Sequence, residues 1–187
     1  MRGRRVEEPT ENVVRAAAAG DPIAFERLVR HYEPHVRRFL AHFLGDATLA
    51  EDVAQEAFVR VYRGLPGFGF RSSFSSWVFQ VARNAALDAL RSRQRRDRLA
   101  EAVTPARAEE VASRTAAPDG AAEVAAALAS LPAAPREALL LVEVYGLTYR
   151  EAATVLGTAE GTVKSRVFAA RRALDRWLTT EEPARDL

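Results

Sequence analysis

The residues best equipped for chemistry lie in three places. Near the carboxyl end, Thr162, Lys164, Ser165, Arg166 and Phe168 crowd one short stretch, with Arg171 and Arg172 a turn further on. Lysine and arginine donate to guanine edges in a major groove, hydroxyls reach bases or phosphates, and a phenyl ring contacts a thymine methyl. Residues at the start of such a helix reach base edges, and later basic ones such as Arg171 and Arg172 reach phosphates. The plainer alternative is a helical hairpin with a solvated basic face. In the first half, the segment 66–76 carries Phe68, Phe70 and Phe74 with Arg71 and Ser72, and is followed by Trp77. Asn84, Asp88, Arg91 and Arg95 then recur at helical spacing on one face. Rings that stack on unpaired bases, amides that read their edges and arginines that hold a backbone are what single-stranded DNA binding uses. The competing reading makes the aromatic residues core, and for Phe74 and Trp77 that reading is preferred. The third place is a helix whose polar side carries Asp52, Gln55, Glu56 and Arg60, with Val53, Ala57 and Val61 on its apolar side. An acid–amide row of this kind suits docking to a basic partner, or is an ordinary solvated face.

Catalytic chemistry finds little support. His31, His35 and His42 could share one side of a helix, but Pro34 interrupts it, no cysteine assists and no acid is placed as a base, so they read as surface histidines rather than a zinc site. There is no phosphate-binding glycine loop and no nucleophile elbow. The chain reads as a non-enzyme that needs no metal or cofactor.

The elements that must position these groups are all helical. A first helix starts near Glu11. Asp21-Pro22 begins a second, with aspartate as cap and proline at the first helical position. Pro34 should kink or break it, and Gly45-Asp46 ends it. An amphipathic run from Leu49 to Leu65 is closed by Pro66 and Gly67. A helix from Trp77 to about Arg96 follows the aromatic loop. The last part divides into four helices, about 121–130, 135–145, 149–156 and 160–178, before a loose tail at 179–187.

Within that last part the spacing is specific. Thr148 can cap a helix with Glu151 as its capping-box partner. Ala153 is the small residue for a close helix crossing, Gly157 follows where the turn favours a positive φ, and Val163 can plug the core between the helices with Leu156 facing it. That pattern predicts a helix-turn-helix.

Composition changes after Arg98. Residues 99–120 are rich in Ala, Glu and Pro and read as a flexible linker, with room for a frayed helix, between one small domain at 11–98 and another at 121–178. Fully extended, such a linker spans about 70 Å. The 187 residues are 48% hydrophobic and 28% charged, values of a soluble globular protein. Net charge is only +2, but basic groups gather at 91–98 and in the last helix; such clusters suggest phosphate contact, although a basic run considered alone is more often a solvated helix face. No apolar run is long enough to insert into a membrane. The charged start is unlike a secretory signal. With no cysteine, a reducing cytoplasm is the expected compartment.

Three motifs in order carry a resemblance: Asp52-Val-Ala-Gln-Glu-Ala-Phe-Val-Arg-Val-Tyr62; Phe74-Ser-Ser-Trp77 followed by Val81-Ala-Arg-Asn84; and Gly161-Thr-Val-Lys-Ser-Arg166. Together they resemble the extracytoplasmic-function (ECF) class of bacterial sigma factors over about 20–96 and 121–176. The resemblance implies a transcription initiation factor whose partners are core RNA polymerase and promoter DNA, duplex and unpaired. Asp52, Gln55, Glu56, Phe58, Arg60 and Tyr62 would dock on the polymerase clamp. Phe68, Phe70, Arg71, Ser72, Asn84, Asp88 and Arg91 would capture and open the −10 element. Thr162, Lys164, Ser165, Arg166, Phe168, Arg171 and Arg172 would read and hold the −35 element. The acidic linker would run through the polymerase near the template strand and RNA exit path. Many relatives are restrained by an anti-sigma factor, which makes one a candidate partner. Two departures stand out: the loop reads Phe68-Gly-Phe-Arg-Ser-Ser73 where relatives commonly have Phe-Arg-Gly-Asp, and Ala169 stands where a basic residue is frequent.

Two rival readings predict different behaviour. A one-component regulator would bind a palindromic site without polymerase. A helical adaptor for protein docking would show no salt-dependent DNA affinity.

Overall fold

A computed structural model describes the backbone of residues 6–103 and 121–181. Helices α1 (Glu11–Ala18), α2 (Pro22–Leu44), α3 (Ala47–Gly64) and α4 (Phe74–Val103) make an amino-terminal unit. Helices α5 (Ala121–Ala129), α6 (Ala133–Leu139), α7 (Tyr149–Leu156) and α8 (Glu160–Glu181) make a carboxyl-terminal one. Among the described residues there is no strand.

The helix starts follow from local chemistry. The Asp21 carboxylate accepts from the Ile23 and Ala24 amides at 2.8 and 3.2 Å, with Pro22 at the first helical position. Asp46 accepts from the Leu49 amide at 3.0 Å and starts α3. Gly45 closes α2 in the left-handed conformation, at φ 68°.

Several features differ from the sequence expectation. Helix α2 runs through Pro34 unbroken. The ring faces solvent, so water can meet the carbonyl that proline leaves unbonded, and the burial of Tyr32, Val36, Phe39 and Leu40 pins both halves to one core. Helix α4 starts at Phe74 rather than Trp77, and it continues to Val103, past the expected domain end at 98. The rest of the expected linker, 104–120, lies outside the described residues. Helix α8 extends to Glu181, through the first residues of the tail expected to be loose at 179–187, and the remainder lies outside the described residues. After α6 the chain opens into a wide π turn over Leu140–Val144, with the Tyr145 amide donating to the Leu140 carbonyl at 3.0 Å.

That turn delivers Tyr145 to the seam between the two units. Tyr145 is 1% exposed and lies 5.9 Å from Phe39 of α2 and 4.9 Å from Phe79 of α4, measured between ring centroids. Burial pushes its hydroxyl pKa above the ordinary tyrosine value, so it stays protonated. Around it, Arg83 of α4 donates to Glu137 of α6 at 2.9 Å, with both side chains largely buried. The Val6 amide donates to the Tyr145 carbonyl at 3.2 Å, and the Gln80 side chain donates to the Thr154 carbonyl of α7 at 3.4 Å. Buried residues of both units form one continuous apolar core.

The helix-turn-helix forms as its spacing predicts. The Thr148 hydroxyl accepts from the Glu151 amide at 3.2 Å, and the Glu151 carboxylate accepts from the Thr148 amide at 2.8 Å, which makes a reciprocal capping box. Gly157 ends α7 at φ 62°, and Val163 is fully buried between α7 and α8. A Cβ at Gly157 would meet open space, so the φ alone penalises replacement. Gly157→Ala should therefore lower unfolding free energy by about 1 kcal/mol, read from denaturant curves; no change would mean the turn relaxes out of the left-handed region.

His42 sits half-buried in α2. Burial first, then the nearby Arg38 and Arg136 guanidiniums, push its pKa below the ordinary 6.5. The unfolded chain then takes up this proton more readily than the folded one. Stability owed to neutral His42 is complete above about pH 6.5 and is lost as the pH falls toward the lower folded value. The thermal midpoint of His42→Gln should fall less than that of the unaltered chain between about pH 7.5 and pH 5.5. Equal falls would assign the acid sensitivity to other groups.

Candidate nucleic-acid interface

Helix α8 presents its polar groups on the side away from the core. Val163, Val167 and Ala170 point inward, while Lys164, Ser165, Phe168, Arg171 and Arg172 are exposed and Thr162 and Arg166 are half-exposed. Phe168 is 63% exposed. The Arg172 guanidinium lies 5.9 Å from its ring centroid. Lys164 pairs with Glu160 at 2.8 Å, and its ammonium is 5.7 Å from the Tyr149 ring. The Ser165 hydroxyl donates back to the Gly161 and Thr162 carbonyls. Arg171 is tied to Glu143 in the π turn. All seven residues expected to contact a duplex are thus brought to one helix, and Arg171 also helps hold that helix to the rest of its unit.

In the amino-terminal unit the aromatic loop is a packed cluster. Phe68 is 9% exposed, with its ring centroid 4.9 Å from Phe70, 5.5 Å from Phe74 and 5.0 Å from Trp77. Phe74 is buried and Trp77 half-buried, as preferred from the sequence. The Phe68 ring therefore lies inside the cluster, and Phe70, Arg71 and Ser72 form its outer surface. Phe70 has φ 54°, the only positive φ at a non-glycine among the described residues. Such a conformation costs roughly 1–3 kcal/mol in a bulky residue and persists only when its surroundings hold it.

Behind the loop, Asn84 and Asp88 are exposed on α4. Asp88 is not a free carboxylate. It accepts from Arg60 of α3 at 2.7 Å and from Arg91 at 3.3 Å, and hydrogen bonding to Arg60 is the main reason its pKa lies below the usual carboxylate value. Arg60 also donates to Glu56 at 2.9 Å. The network Glu56–Arg60–Asp88–Arg91 joins the helix expected to dock a protein to the helix expected to read a strand. It leaves Arg91 aimed along the same face as Asn84.

The third group of residues divides between two grooves. Asp52, Glu56 and Arg60 line a groove of about 420 Å³ between α3 and α4. Gln55, Phe58 and Tyr62 line a wider one, about 590 Å³ and mostly apolar, between α2 and α3 with Phe25, Val29 and Val59. Tyr62 is 55% exposed, its ring edge-on to Phe25 at 4.9 Å. The single polar row read from the sequence is thus two neighbouring surfaces, one charged and one apolar, because successive turns of α3 face different partners.

Sequence reasoning missed Glu8. Its carboxylate accepts from the Phe74 amide, from the Ser75 amide at 3.2 Å and from the Ser75 hydroxyl at 2.5 Å. Glu8 therefore caps α4 across 66 residues of chain, which is why that helix starts three residues early. No local pattern marks such a cap. Among the described residues, no group of histidines and acids could hold a metal ion, and no helix is long and apolar enough to cross a membrane.

Comparison with known proteins agrees with both units. Residues 28–96 match Sigma-70 region 2, and residues 121–174 match Sigma-70 region 4. The RNA polymerase sigma-H factor of Pseudomonas aeruginosa is 36% identical over 183 residues, covering 92% of this chain and 95% of the relative. The ECF RNA polymerase sigma-E factor of Escherichia coli K12 is 32% identical over 182 residues, covering 90% and 94%. Among solved structures, the sigma factor RpoE in complex with the anti-sigma factor NepR from Bartonella quintana superposes with a TM-score of 0.72 at 28% identity, covering 84% of this chain and 98% of that one. With both matched regions in the expected order and relatives spanned almost end to end, the chain belongs to the sigma-70 family of transcription initiation factors, in its ECF class, whose members direct RNA polymerase to particular promoters.

Proposed function

We propose that the two units divide promoter recognition between them. The unit at 11–98 docks on core polymerase through both faces of α3 and captures an unpaired base of the −10 element. The unit at 121–178 reads the −35 element in the major groove with α8. The observation that carries this reading is the pattern of exposure. Helices α4 and α8 each bury one side in the core, yet α4 keeps a face bearing Asn84 and Arg91 in solvent and α8 one bearing hydroxyls, Lys164 and arginines. On α8, Thr162, Lys164, Ser165, Arg166 and Phe168 contact bases, and Arg171 and Arg172 contact phosphates. On α4 and its loop, Phe70, Arg71, Ser72 and Asn84 meet the flipped base, Phe68 supports them from beneath, and Arg91, steered by Asp88, holds the backbone.

Docking uses Asp52, Glu56 and Arg60 for charge complementarity and Phe58, Tyr62 and Gln55 for the apolar groove. The polymerase carries the bond-making chemistry, so this chain contributes no catalytic group. Its place of action is the cytoplasm, where the polymerase is. An anti-sigma factor is a natural partner, because the RpoE relative is held by one. The loop sequence Phe68-Gly-Phe-Arg-Ser-Ser73 sets a −10 preference of its own.

The deciding experiment is run-off transcription from a promoter pool by core polymerase with and without the chain. Stimulation is expected, and none on any promoter would sink the reading in favour of a polymerase-independent regulator. Arg166→Ala should reduce −35 discrimination by about ten-fold, the loss of roughly one good base contact. Unchanged sequence preference would remove Arg166 from the reading surface. Asn84→Ala should impair opening, seen as weaker permanganate reactivity of −10 thymines, while binding of a −35 duplex stays intact. Normal opening would place base capture elsewhere.

A further inference from the structure

We propose that the segment ahead of the matched sigma region, residues 6–18, positions the −10 loop, with Glu8 and Arg15 as the positioning residues. This rests on the assignment of base capture to that loop. Both residues precede residue 28, where the region 2 match begins, yet both grip the loop. Arg15 lies with its guanidinium carbon 4.3 Å from the centroid of the Phe70 ring, the residue held at positive φ. Its guanidinium is itself oriented by Glu11, one turn earlier on α1, through an Nε–Oε1 bond of 2.7 Å. A cation over a ring face is attracted by the ring quadrupole, so Arg15 supplies the outside support that a strained loop residue requires.

Glu8 holds the other end. It takes the first amides of α4 and the Ser75 hydroxyl. Ser75 Oγ lies 2.9 Å from the Tyr32 hydroxyl, deep in α2. The His31 ring nitrogen lies 2.7 Å from the Glu7 carbonyl oxygen, and Val6 is buried beside Tyr145. The stretch of chain carrying Glu8 is therefore moored to α2 on one side and to the seam between the units on the other. A carboxylate at a helix start also complements the helix dipole. Residues 68–73 are thus clipped at Phe70 by Arg15 and at Phe74 by Glu8, so Phe70, Arg71 and Ser72 are presented in a fixed conformation before any strand arrives. Pre-organisation of this kind lowers the cost of binding without adding a contact.

The test uses holoenzyme reconstituted from core polymerase and the full chain. Two probes are first selected from random pools by the unaltered holoenzyme: a single-stranded oligonucleotide for the −10 surface and a duplex for the −35 surface. Arg15→Met should weaken the single-stranded probe about three-fold, Arg15→Lys should restore most of that, and both should leave duplex affinity and thermal midpoint unchanged. Glu8→Gln should weaken the single-stranded probe about ten-fold, because charge-assisted bonds at the start of α4 become neutral ones. In a Phe70→Ala background, Arg15→Met should add no further loss. If Phe70→Ala weakens the single-stranded probe but Arg15→Met does not, or adds its full effect on top, the positioning role is overturned while the loop assignment stands. If neither Phe70→Ala nor Asn84→Ala affects that probe, the loop assignment itself has failed and the proposal goes with it.

Discussion

The burial of α4 on more than one side is the constraint on which the rest of this structure depends. Val78, Phe79, Ala82, Ala85 and Ala86 are all essentially inaccessible. They occupy more of the helix circumference than a single apolar stripe would. The three alanines let neighbouring helices approach closely, and Phe79 fills the space between Phe39 and Tyr145. A helix held this way cannot rotate or slide without opening the core. The face that remains in solvent, bearing Asn84, Asp88 and Arg91, is therefore fixed in direction, as the proposed base capture needs.

Fixing the start of such a helix matters as much as fixing its flanks. The loop before α4 holds a strained phenylalanine and a packed ring cluster. Either would drift if the first turn of α4 frayed. Glu8 prevents that with a charge-assisted cap, and Ser75 passes the connection on to Tyr32. At the carboxyl-terminal unit a purely local device does the same work. The Thr148–Glu151 capping box and the left-handed Gly157 set the angle between α7 and α8 within a few residues. The start of α4 is set by a long-range clasp, the turn between α7 and α8 by short-range rules.

Polar contacts between elements follow a similar division. The exposed pairs along single helices, such as Arg37 with Glu33 or Lys164 with Glu160, are weak and screened. Two pairs that join elements have a positional consequence. Arg60 with Asp88 links α3 to α4 and orients Arg91, while Arg83 with Glu137 registers the two units. The second is largely buried, so removing either partner would leave a charge without water or counter-ion, a costly state. Such a pair contributes more to arrangement than to net stability.

Helical class and the helix-turn-helix were legible in the amino-acid sequence because they depend on spacings of a few residues. Caps, turns and apolar periods act locally, so Thr148, Glu151, Ala153, Gly157 and Val163 could be placed without knowing what surrounds them. Motif resemblance added the polymerase and the −10 element. Tertiary structure alone decided what depends on contacts between distant residues. It buried the second face of α4 under Tyr145, carried α2 through Pro34, turned Phe68 inward and divided the residues of α3 between two grooves. It also brought Glu8 and Arg15 onto the loop. The physical reason is that a periodic pattern records which side of a helix is apolar. It does not record how many neighbours will cover that helix, nor which remote carboxylate will find its first free amides.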